Sequence, residues 1–424
     1  MTQCNANQIE TIQLVIIADD FTGALDTGIQ FAESGAATVT LTQVDDWSTE
    51  IFHTSCEVLV IDAETRHLER RDAYRIVYEI VRKCMMAGIP YIYKKIDSAL
   101  RGNIGAELKA AIDASGSRVL PLVPSYPQMN RCTVEGVHYV DGIPVTATAI
   151  GQDPFDPVES SRVADLFLTE NVFVRDRTRF TDKIEKCPVP QIVIYDAQSM
   201  EELDTIAEEM VNKQEIRVMA GCAGFAAALS KAFHFEKSIR APGSFPEHLL
   251  ILCGSVNETS RKQLAYEEQK GTIHLTLNSK QQEQLGYLES KEGKTWLKQI
   301  TQQLRRNKIL MIDTQTEHMA ENEDTVEEKR NVIAKRLGRI GREMVKSCQD
   351  TVVMAIGGDT LFGFLQMMNC RQIIPVQELE AGTVLSCIMD NGREMWIISK
   401  SGGFGDAALV SNVIDKIGLE RGGK

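Results

Sequence analysis

The stretch LVIIADDFTGALDTG, residues 14–28, decides the fold class of this chain. Its first five residues are apolar and predict a strand buried on both faces, and apolar residues recur at helical spacing directly behind it. A buried strand that leads straight into a helix is typical of α/β architecture. Asp19 and Asp20 stand at the carboxyl end of this strand, where ligands bind in open α/β sheets, and carboxylates there can accept substrate hydroxyls or a proton. Asp20 can instead serve as the cap of the helix.

Short apolar runs of the same kind alternate with helix-period segments along the chain. This alternation predicts two α/β domains with mainly parallel sheets and a ligand cleft between them. The segment RAPGSFPEH is rich in turn residues, so we expect a first domain at 1–239, a linker at 240–247 and a second domain at 248–424. Thr325 and Glu328 form a capping-box pattern that predicts the start of a helix over 325–347. The predicted strands are LVIIAD (14–19), ATVTL (37–41), EVLVID (57–62), YIYKK (91–95), RVLPLV (118–123), PQIVIYD (190–196), IRVMAG (216–221), HLLILCG (248–254), TIHLTL (272–277), KILMIDT (308–314) and DTVVMAIGG (350–358).

Composition and charge exclude several classes of protein. The 424 residues are 43% hydrophobic and 25% charged, as in ordinary globular proteins, and their formal net charge of −13 repels nucleic acid and anionic membranes. The ten cysteines form no C-x-x-C pair and no Cys/His cluster, which indicates a reducing compartment and argues against a tightly bound transition metal. The first residues lack a signal-peptide pattern and the apolar runs are strand-sized, so we expect a cytoplasmic protein.

A second polar cluster, KKIDSALRGNIGAEL at 94–108, follows the predicted strand YIYKK and opens a helix. An arginine such as Arg101 can bind a carboxylate through two parallel hydrogen bonds, and the amides of a helix amino terminus add a favourable field. Loops at the carboxyl ends of strands are favoured ligand sites, although a surface turn with internal salt bridges has the same composition.

A long connection, PSYPQMNRCTVEGVHYVDGIPV at 124–145, ends in a hairpin pattern with Asp141-Gly142 at its turn. Arg131 and Thr133 are candidates to face a ligand there. The candidate substrate-binding residues of the first domain are Asp19, Asp20, Lys95, Asp97, Ser98, Arg101, Asn103 and Arg131.

Three glycine-rich turns in the second domain each lead from a predicted strand into a helix: GSVNETSRKQL (254–264), AIGGDTL (355–361) and SKSGGFGDAAL (399–409). Tight turns need glycine for their own geometry, but three in one domain predict a backbone cradle for nucleotide phosphates. In the second turn we expect Asp359 or Thr360 to cap the helix. The candidate nucleotide-binding residues are Ser255, Gly357, Gly358, Asp359, Thr360, Gly402, Gly403, Phe404 and Gly405.

Six ordered segments resemble the four-carbon acid sugar kinase family, formerly a domain of unknown function, over nearly the whole chain. They are ADDFTGALDTG, KKIDSALRGNIGAEL, PSYPQMNRCTVEGVHYVDGIPV, GSVNETSRKQL, IGGDT and SKSGGFGD. The resemblance implies a sugar-acid-binding domain followed by a nucleotide-binding domain. It implies ATP-dependent phosphorylation of the terminal hydroxyl, the 4-hydroxyl, of D-threonate, D-erythronate or a 3-oxo-tetronate. It also implies that the acid lies against Asp19, Asp20, Asp97 and Arg101, and ATP against Ser255, Gly357 to Thr360 and Gly402 to Gly405.

Five residues depart from the usual pattern of the family. Ala99 stands where a threonine is usual, Asn130 and Asn257 where a glycine and a serine are usual, and Ile356 and Ala381 where a threonine and a proline are usual. The first two departures bear on the choice of acid. The motif KxDSxLRGN resembles the threonate and erythronate kinases more than the 3-oxo-tetronate kinases, which stay an alternative.

The net charge of −13 predicts that Mg²⁺ accompanies ATP, held largely by phosphates, waters and a carboxylate or two, and the sequence identifies no particular metal ligand. The expected partners are a small sugar acid and ATP, without nucleic acid or membrane, and a homodimer is left open. A non-catalytic sensor of a sugar acid would keep Asp97 and Arg101 but would not need the three glycine turns. A nicotinamide dehydrogenase would need a G-x-G-x-x-G fingerprint after the first strand, which is missing.

The base that takes the proton of the attacking hydroxyl is a carboxylate in this reading. Asp20 and Asp97 are the expected candidates, with one as base and the other as acceptor for substrate hydroxyls. Asp406, which follows the third glycine turn, is the alternative base by analogy with unrelated sugar kinases.

Overall fold

The chain forms two compact units in a computed structural model, Met1–Ile239 and Arg240–Lys424. The predicted linker at 240–247 lies mostly outside the described residues, and it stays a prediction, as does the ligand cleft. The side chains of the helix at 323–347 are described from Arg330 onward. The structure describes residues 12–42, 51–52, 54–153, 156–177, 189–212, 216–235, 245–255, 257–314 and 323–421.

The first unit holds one large sheet and one small one. Its strands are β1 (Leu14–Ala18), β2 (Thr38–Leu41), β3 (Val58–Asp62), β4 (Tyr91–Lys95), β5 (Val119–Val123), β6 (Arg131–Val134), β7 (Val137–Val140), β8 (Ile143–Pro144), β9 (Phe173–Arg177), β10 (Gln191–Tyr195) and β11 (Val218–Gly221). Its helices are α1 (Phe21–Glu33), α2 (Arg70–Met86), α3 (Ile104–Ser115), α4 (Met200–Asn212) and α5 (Ala223–Ala232).

Eight strands form the large sheet in the order β2-β3-β1-β4-β11-β5-β10-β9, and each of these pairings is parallel. Helices α1, α4 and α5 pack together, as do α2 and α3. All five residues of β1 are buried, which explains its uninterrupted apolar sequence. The chain continues to one side of β1 through β2 and β3 and returns on the other side at β4, so the carboxyl ends of β1 and β4 form a topological switch point.

The small sheet is built from two successive hairpins, β6-β7 and β7-β8. The predicted turn at Asp141-Gly142 is confirmed, with φ of 51° and 76°, the left-handed pair that two-residue hairpins favour. The turn before it, Glu135-Gly136, has the same geometry, with φ of 50° and 73°, and was not predicted.

The second unit is also α/β, so the predicted fold class is confirmed. Its strands are β12 (His248–Cys253), β13 (Ile273–Thr276), β14 (Ile309–Asp313), β15 (Thr351–Ile356), β16 (Gln372–Glu380), β17 (Thr383–Asp390) and β18 (Arg393–Lys400). Its helices are α6 (Glu258–Gln269), α7 (Ser279–Glu283), α8 (Lys291–Asn307), α9 (Glu323–Ser347), α10 (Gly358–Met367) and α11 (Leu409–Lys416).

The strands of the second unit follow the order β13-β14-β12-β15-β18-β17-β16. The pairs from β13 to β18 are parallel, and the last two pairs are antiparallel. The chain passes to opposite sides of β12, which makes the carboxyl ends of β12 and β15 a second switch point. Helix α9 begins by Glu323, so Thr325 lies inside it and the predicted capping box is wrong. Among the described residues, every helix is too short or too polar to span a membrane.

Candidate functional site

Five charged side chains meet at the switch point of the first unit. Asp19 and Asp20 follow β1, Lys95 ends β4, and Asp97 lies two residues further on. Arg66 comes from the loop after β3, the strand on the other side of β1. Because parallel strands end at the same edge, these five side chains form one cluster, which we call the acid cluster.

Arg66 is the centre of the acid cluster, and the sequence analysis missed it. Its Nε donates to Asp19 Oδ2 at 2.8 Å and its Nη1 donates to Asp20 Oδ2 at 2.8 Å. Its Nη2 lies 2.7 Å from Asp19 Oδ2 and 3.5 Å from Asp97 Oδ1. One guanidinium therefore holds three of the predicted carboxylates in a common geometry.

Asp20 has two structural partners besides Arg66. Its Oδ1 accepts the Gly23 amide at 3.0 Å, so Asp20 does cap α1, and it lies 3.5 Å from Lys95 Nζ. A Cβ atom on Gly23 would collide with the Lys95 ammonium and the Asp20 carboxylate. Glycine at this position therefore lets the lysine approach the first turn of the helix.

Arg101 binds Asp97 through two parallel hydrogen bonds. The sequence analysis expected this geometry between Arg101 and the carboxylate of a ligand. Arg101 Nε donates to Asp97 Oδ2 and Nη2 donates to Oδ1, both at 3.0 Å. The amides of Ala99 and Arg101 also donate to Asp97 Oδ2. Arg101 Nη1 lies 3.7 Å from Asp153 Oδ2. The alternative interpretation of this segment, a turn with internal salt bridges, therefore describes it as well, and Asp97 of this turn belongs to the acid cluster.

The three carboxylates differ in electrostatics and exposure. Burial alone would raise the pKa of Asp19, but Arg66 and Lys95 outweigh burial and hold this pKa far below its usual range. For Asp97, Arg66 and Arg101 likewise outweigh burial and lower the pKa strongly. Asp20 is the most accessible of the three, with 22% of its side chain exposed against 3% for Asp19 and 8% for Asp97.

A buried ion pair and several hydrogen bonds hold the backbone around the acid cluster. Lys94, which precedes Lys95 on β4, pairs with Glu107 of α3 at 2.9 Å, and both side chains are fully buried. Thr65 donates a short hydrogen bond to the same glutamate. Asn103, a predicted substrate ligand, donates from Nδ2 to backbone oxygens of Thr65, Arg66 and Leu68. The Asn103 amide nitrogen thus holds the Arg66 loop in place.

The small sheet supports the loop that carries Ser98. His138 lies between Thr133 Oγ1, 3.0 Å from its Nδ1, and Ser98 O, 2.9 Å from its Nε2. Since a carbonyl only accepts, the neutral tautomer with Nε2–H satisfies both contacts. Thr133 is fully buried in this contact, so the expectation that it faces a ligand is wrong. Arg131 donates a short hydrogen bond to Ser98 Oγ.

His138 makes the stability of the protein depend on pH. Burial lowers its pKa to about 4, whereas an unfolded histidine titrates near 6.5, so stability is lost as pH falls below about 6.5. We expect His138 to account for a loss of about 2 kcal/mol in the free energy of unfolding between pH 7 and pH 5. Urea unfolding at both pH values should show a smaller loss for His138→Gln than for wild type. The exposed His67→Gln is the matched control, and equal losses in all three proteins contradict this assignment.

The three predicted glycine turns meet at the switch point of the second unit. A Cβ on Gly402 would lie 2.6 Å from Ser255 Oγ, and one on Gly357 would lie 3.6 Å from Ser255 Cβ. Ser260 of α6 donates to Gly402 O at 2.7 Å. Gly357 has a φ of 99°, which favours glycine. The helix-terminal amides of α6 and α10 lie at this edge, an arrangement suited to phosphate.

Other predicted residues of the second unit have structural partners. Thr360 does not cap α10, because its Oγ1 accepts the Gly254 amide at 3.1 Å and so ties two turns together. The helix begins at Gly358 with Gly357 as its N-cap and no side-chain cap, so the capping role expected for Asp359 or Thr360 is wrong. The ring of Phe404 packs against Gly382, where any Cβ would collide with it.

Asp406 does not stand at a helix start. Its Oδ1 accepts the Ala408 amide at 2.9 Å, and α11 begins only at Leu409. Gln263 of α6 donates from Nε2 to Phe404 O at 2.9 Å and to Asp406 O at 2.8 Å, which fixes the third turn.

Gly402→Ala should weaken nucleotide binding, because the new methyl group displaces the Ser255 hydroxyl. The loss of one hydrogen bond to a phosphate predicts an affinity for MgADP about ten- to a hundredfold lower. Titration calorimetry of four proteins tests this: wild type, Gly402→Ala, Ser255→Ala and the double variant. If the displaced hydroxyl is the cause, the double variant binds no worse than Ser255→Ala alone. Additive losses contradict that cause.

Comparison with known proteins identifies a known domain in each of the two units. Residues 14–229 match the family model of a sugar-binding N-terminal domain, and residues 250–410 match that of a nucleotide-binding C-terminal domain. Relatives of this chain are named as kinases of sugar acids, so the chain is a phosphotransferase that acts on a hydroxyl of a sugar acid. The chain belongs to the four-carbon acid sugar kinase family.

Individual relatives cover most of the chain. A D-threonate kinase of Salmonella typhimurium is 27% identical over 95% of this chain and 98% of its own length. A D-erythronate kinase of Heliobacterium modesticaldum is 32% identical over 62% of each chain. The crystal structure of a Haemophilus influenzae protein, 17% identical, matches with a TM-score of 0.70 over 95% of this chain and 100% of that one. The last similarity shows the fold.

Two of the departures from the family pattern have physical explanations in the structure. Asn130 has a φ of 53°, a left-handed conformation that glycine adopts freely and asparagine tolerates best among other residues. Asn257 caps α6 by accepting the Thr259 amide at 2.9 Å, a role that serine fills equally well. Ala99 is fully buried beside Asp97. The first two departures therefore conserve backbone geometry.

Proposed function

We propose that this protein transfers the γ-phosphoryl group of ATP to the terminal hydroxyl of D-threonate or D-erythronate. The acid cluster is the observation that carries the proposal, because its carboxylates can accept hydroxyls and Arg101, which pairs with Asp97 of the cluster, can bind an acid. The named relatives support the two substrates: one is a D-threonate kinase and another a D-erythronate kinase. A 3-oxo-tetronate is the second candidate, supported by a 22% identical relative of that name.

Arg101 is the residue that we assign to the carboxylate of the acid. Its side chain is 26% exposed, compared with 9% for Arg66 and 6% for Lys95. Asp97 already orients its guanidinium plane, which reduces the conformational entropy lost on binding. Arg66 and Lys95 serve mainly to hold the carboxylates that receive the substrate hydroxyls.

Asp20 is the residue that we assign as the base. The cations of the acid cluster pair with all three carboxylates, but Asp19 and Asp97 are nearly fully buried, so a substrate hydroxyl has little access to either. Asp20 is more accessible, and its helix cap fixes its position. Phosphoryl transfer itself depends mainly on positioning and charge stabilisation, with little covalent work by the protein.

We assign the nucleotide to the three glycine turns of the second unit, with Ser255, Gly357 to Thr360 and Gly402 to Gly405 around the phosphates. Mg²⁺ supplies charge neutralisation on the phosphates when bound. Within the described residues, no group of three or more His, Cys, Asp or Glu side chains could hold a metal ion.

A coupled assay of ADP release over a panel of acids tests the proposal. The panel contains D-threonate, L-threonate, D-erythronate, their 3-oxo derivatives and the three-carbon glycerate. We expect ADP release with D-threonate or D-erythronate and a product phosphorylated on the terminal carbon by phosphorus NMR. Activity on glycerate alone, or on none of the acids in the presence of MgATP, would overturn the proposal.

A further inference from the structure

Lys400, the last residue of β18, places an ammonium group directly before the third glycine turn. Only 2% of the residue is exposed, and its Nζ donates a hydrogen bond to Ser401 O at 2.7 Å. Within the part of the chain that the structure describes, no carboxylate pairs with this ammonium. The protein thus buries a positive charge next to a backbone cradle and gives it only a carbonyl as partner.

The face of the sheet on which Lys400 lies is fixed by strand alternation. Trp396 and Ile398 belong to the core that packs with α6 and α11, and Lys400 follows them at spacing two. Cys253, the last residue of β12, belongs to the same core and interacts electrostatically with Lys400. The Gly357 amide donates to Lys400 O at 2.9 Å. Lys400 therefore lies under the edge at which the three turns meet.

We propose that Lys400 is a phosphate-binding residue of the nucleotide site and that the nucleotide phosphates supply its missing counter-charge. This inference rests on the proposed function and deepens it. The backbone amides of the glycine turns offer only partial positive charges to the phosphates, whereas the Lys400 ammonium offers a full one. Lysine is a common phosphate ligand, binding as a point charge rather than through a planar fork.

Burial explains the lowered pKa of Lys400 in the protein without nucleotide. Its pKa is lowered to about 8, because the ammonium loses hydration without gaining an anion. Its neighbours across the sheet, Ile356 and Thr383, carry no charge. Burial raises the pKa of Cys253 to about 12, so this thiol stays neutral near pH 8. The charged groups that act on Cys253 in turn are Asp313 of β14 and Arg261 of α6.

Nucleotide binding should therefore be coupled to proton uptake. A phosphate beside the ammonium raises its pKa, so the complex binds more protons than the free protein above pH 8. The protonated fraction of a group with a pKa of about 8 falls about tenfold between pH 7 and pH 9, and the affinity for MgADP should fall by a similar factor.

Calorimetric titration of the full chain with MgADP tests this inference. Wild type and Lys400→Met are compared at pH 7 and pH 9, and proton uptake is measured in buffers of different ionisation enthalpy. The control is Lys416→Met, which removes a half-exposed lysine of α11 that pairs with Glu380. We expect Lys400→Met to bind about tenfold more weakly at pH 7 and to lose the pH dependence, while the control keeps both properties of wild type.

The other possible results of these titrations distinguish a failure of this inference from a failure of the proposed function. If Lys400→Met binds like wild type at both pH values while Gly402→Ala binds weakly, Lys400 is structural and only this inference is overturned. If wild type does not bind MgADP, the proposed function is overturned as well. If Lys400→Met does not fold, proton uptake by wild type at pH 8.5 decides the matter: uptake that persists in Lys416→Met supports the inference, and its absence overturns it.

Discussion

Asp20→Asn lowers kcat for phosphorylation of the sugar acid by about two to four orders of magnitude if Asp20 is the base. The loss tends to the lower end of this range if the transition state is loose, because the hydroxyl then needs little deprotonation. Asparagine caps helices as well as aspartate, so α1 and the Gly23 contact are preserved. Steady-state kinetics should show the larger change in kcat and the smaller one in KM for the acid, because the base acts in the transition state whereas the lost contact with Arg66 affects both states.

Two matched variants separate the base from the other carboxylates. Asp97→Asn should mainly raise KM for the acid, because it frees Arg101 from its bidentate partner. Asp406→Asn should stay near wild type, because its carboxylate only accepts the Ala408 amide. If Asp406→Asn alone abolishes turnover while both other variants stay active, the acid of the third glycine turn is the base and the assignment of Asp20 is wrong.

Lys94→Met destabilises the first unit by about 3–5 kcal/mol, because it leaves the Glu107 carboxylate buried without a counter-charge. Chemical denaturation measures the free energy of unfolding directly. The exposed Arg75→Met, which breaks a surface pair with Asp72, is the matched control and should cost about 0–1 kcal/mol.

The double variant Lys94→Met/Glu107→Leu tests the cause of this destabilisation. Replacing both charges with apolar groups removes the unpaired carboxylate, so most of the lost stability should return. Thr65 then keeps a hydroxyl without its carboxylate partner, so recovery is incomplete. A single variant within 1 kcal/mol of wild type, or a double variant less stable than the single one, contradicts this account of the pair.

The fold class was predictable because it depends on a local pattern. Strands buried on both faces leave uninterrupted apolar runs such as residues 14–18, and each of these runs is a strand in the structure. Strand β16 was missed because one of its faces is partly exposed, and its sequence QIIPVQELE mixes polar and apolar residues without a regular pattern and contains a proline. β16 and β17 pair as a hairpin across Ala381 and Gly382, a local turn that the sequence analysis did not identify.

The candidate site was predictable only in part. The aspartates after β1 and the segment after β4 stood out because they follow recognisable strands. Arg66 did not, since the surrounding ETRHLERR resembles an ordinary solvated loop. The position of Arg66 after β3 is what could have indicated its role, because β3 lies beside β1 in the sheet. This neighbour relationship is known only from the order of the strands. His138 was missed for the same reason, because its contact with Ser98 joins residues 40 positions apart.

The two lysines that end β4 make this strand intolerant of insertions and deletions. Lys95 faces Asp19 and Asp20, whereas Lys94 faces Glu107, because successive side chains of a strand point to opposite faces. Removing one residue upstream in β4 would exchange these directions while leaving two adjacent lysines in the sequence. A protein with such a deletion would look unchanged in composition and charge pattern. Its acid cluster would nevertheless lose the ammonium that belongs to it, so alignment gaps within β4 are a marker of lost activity among homologous genes.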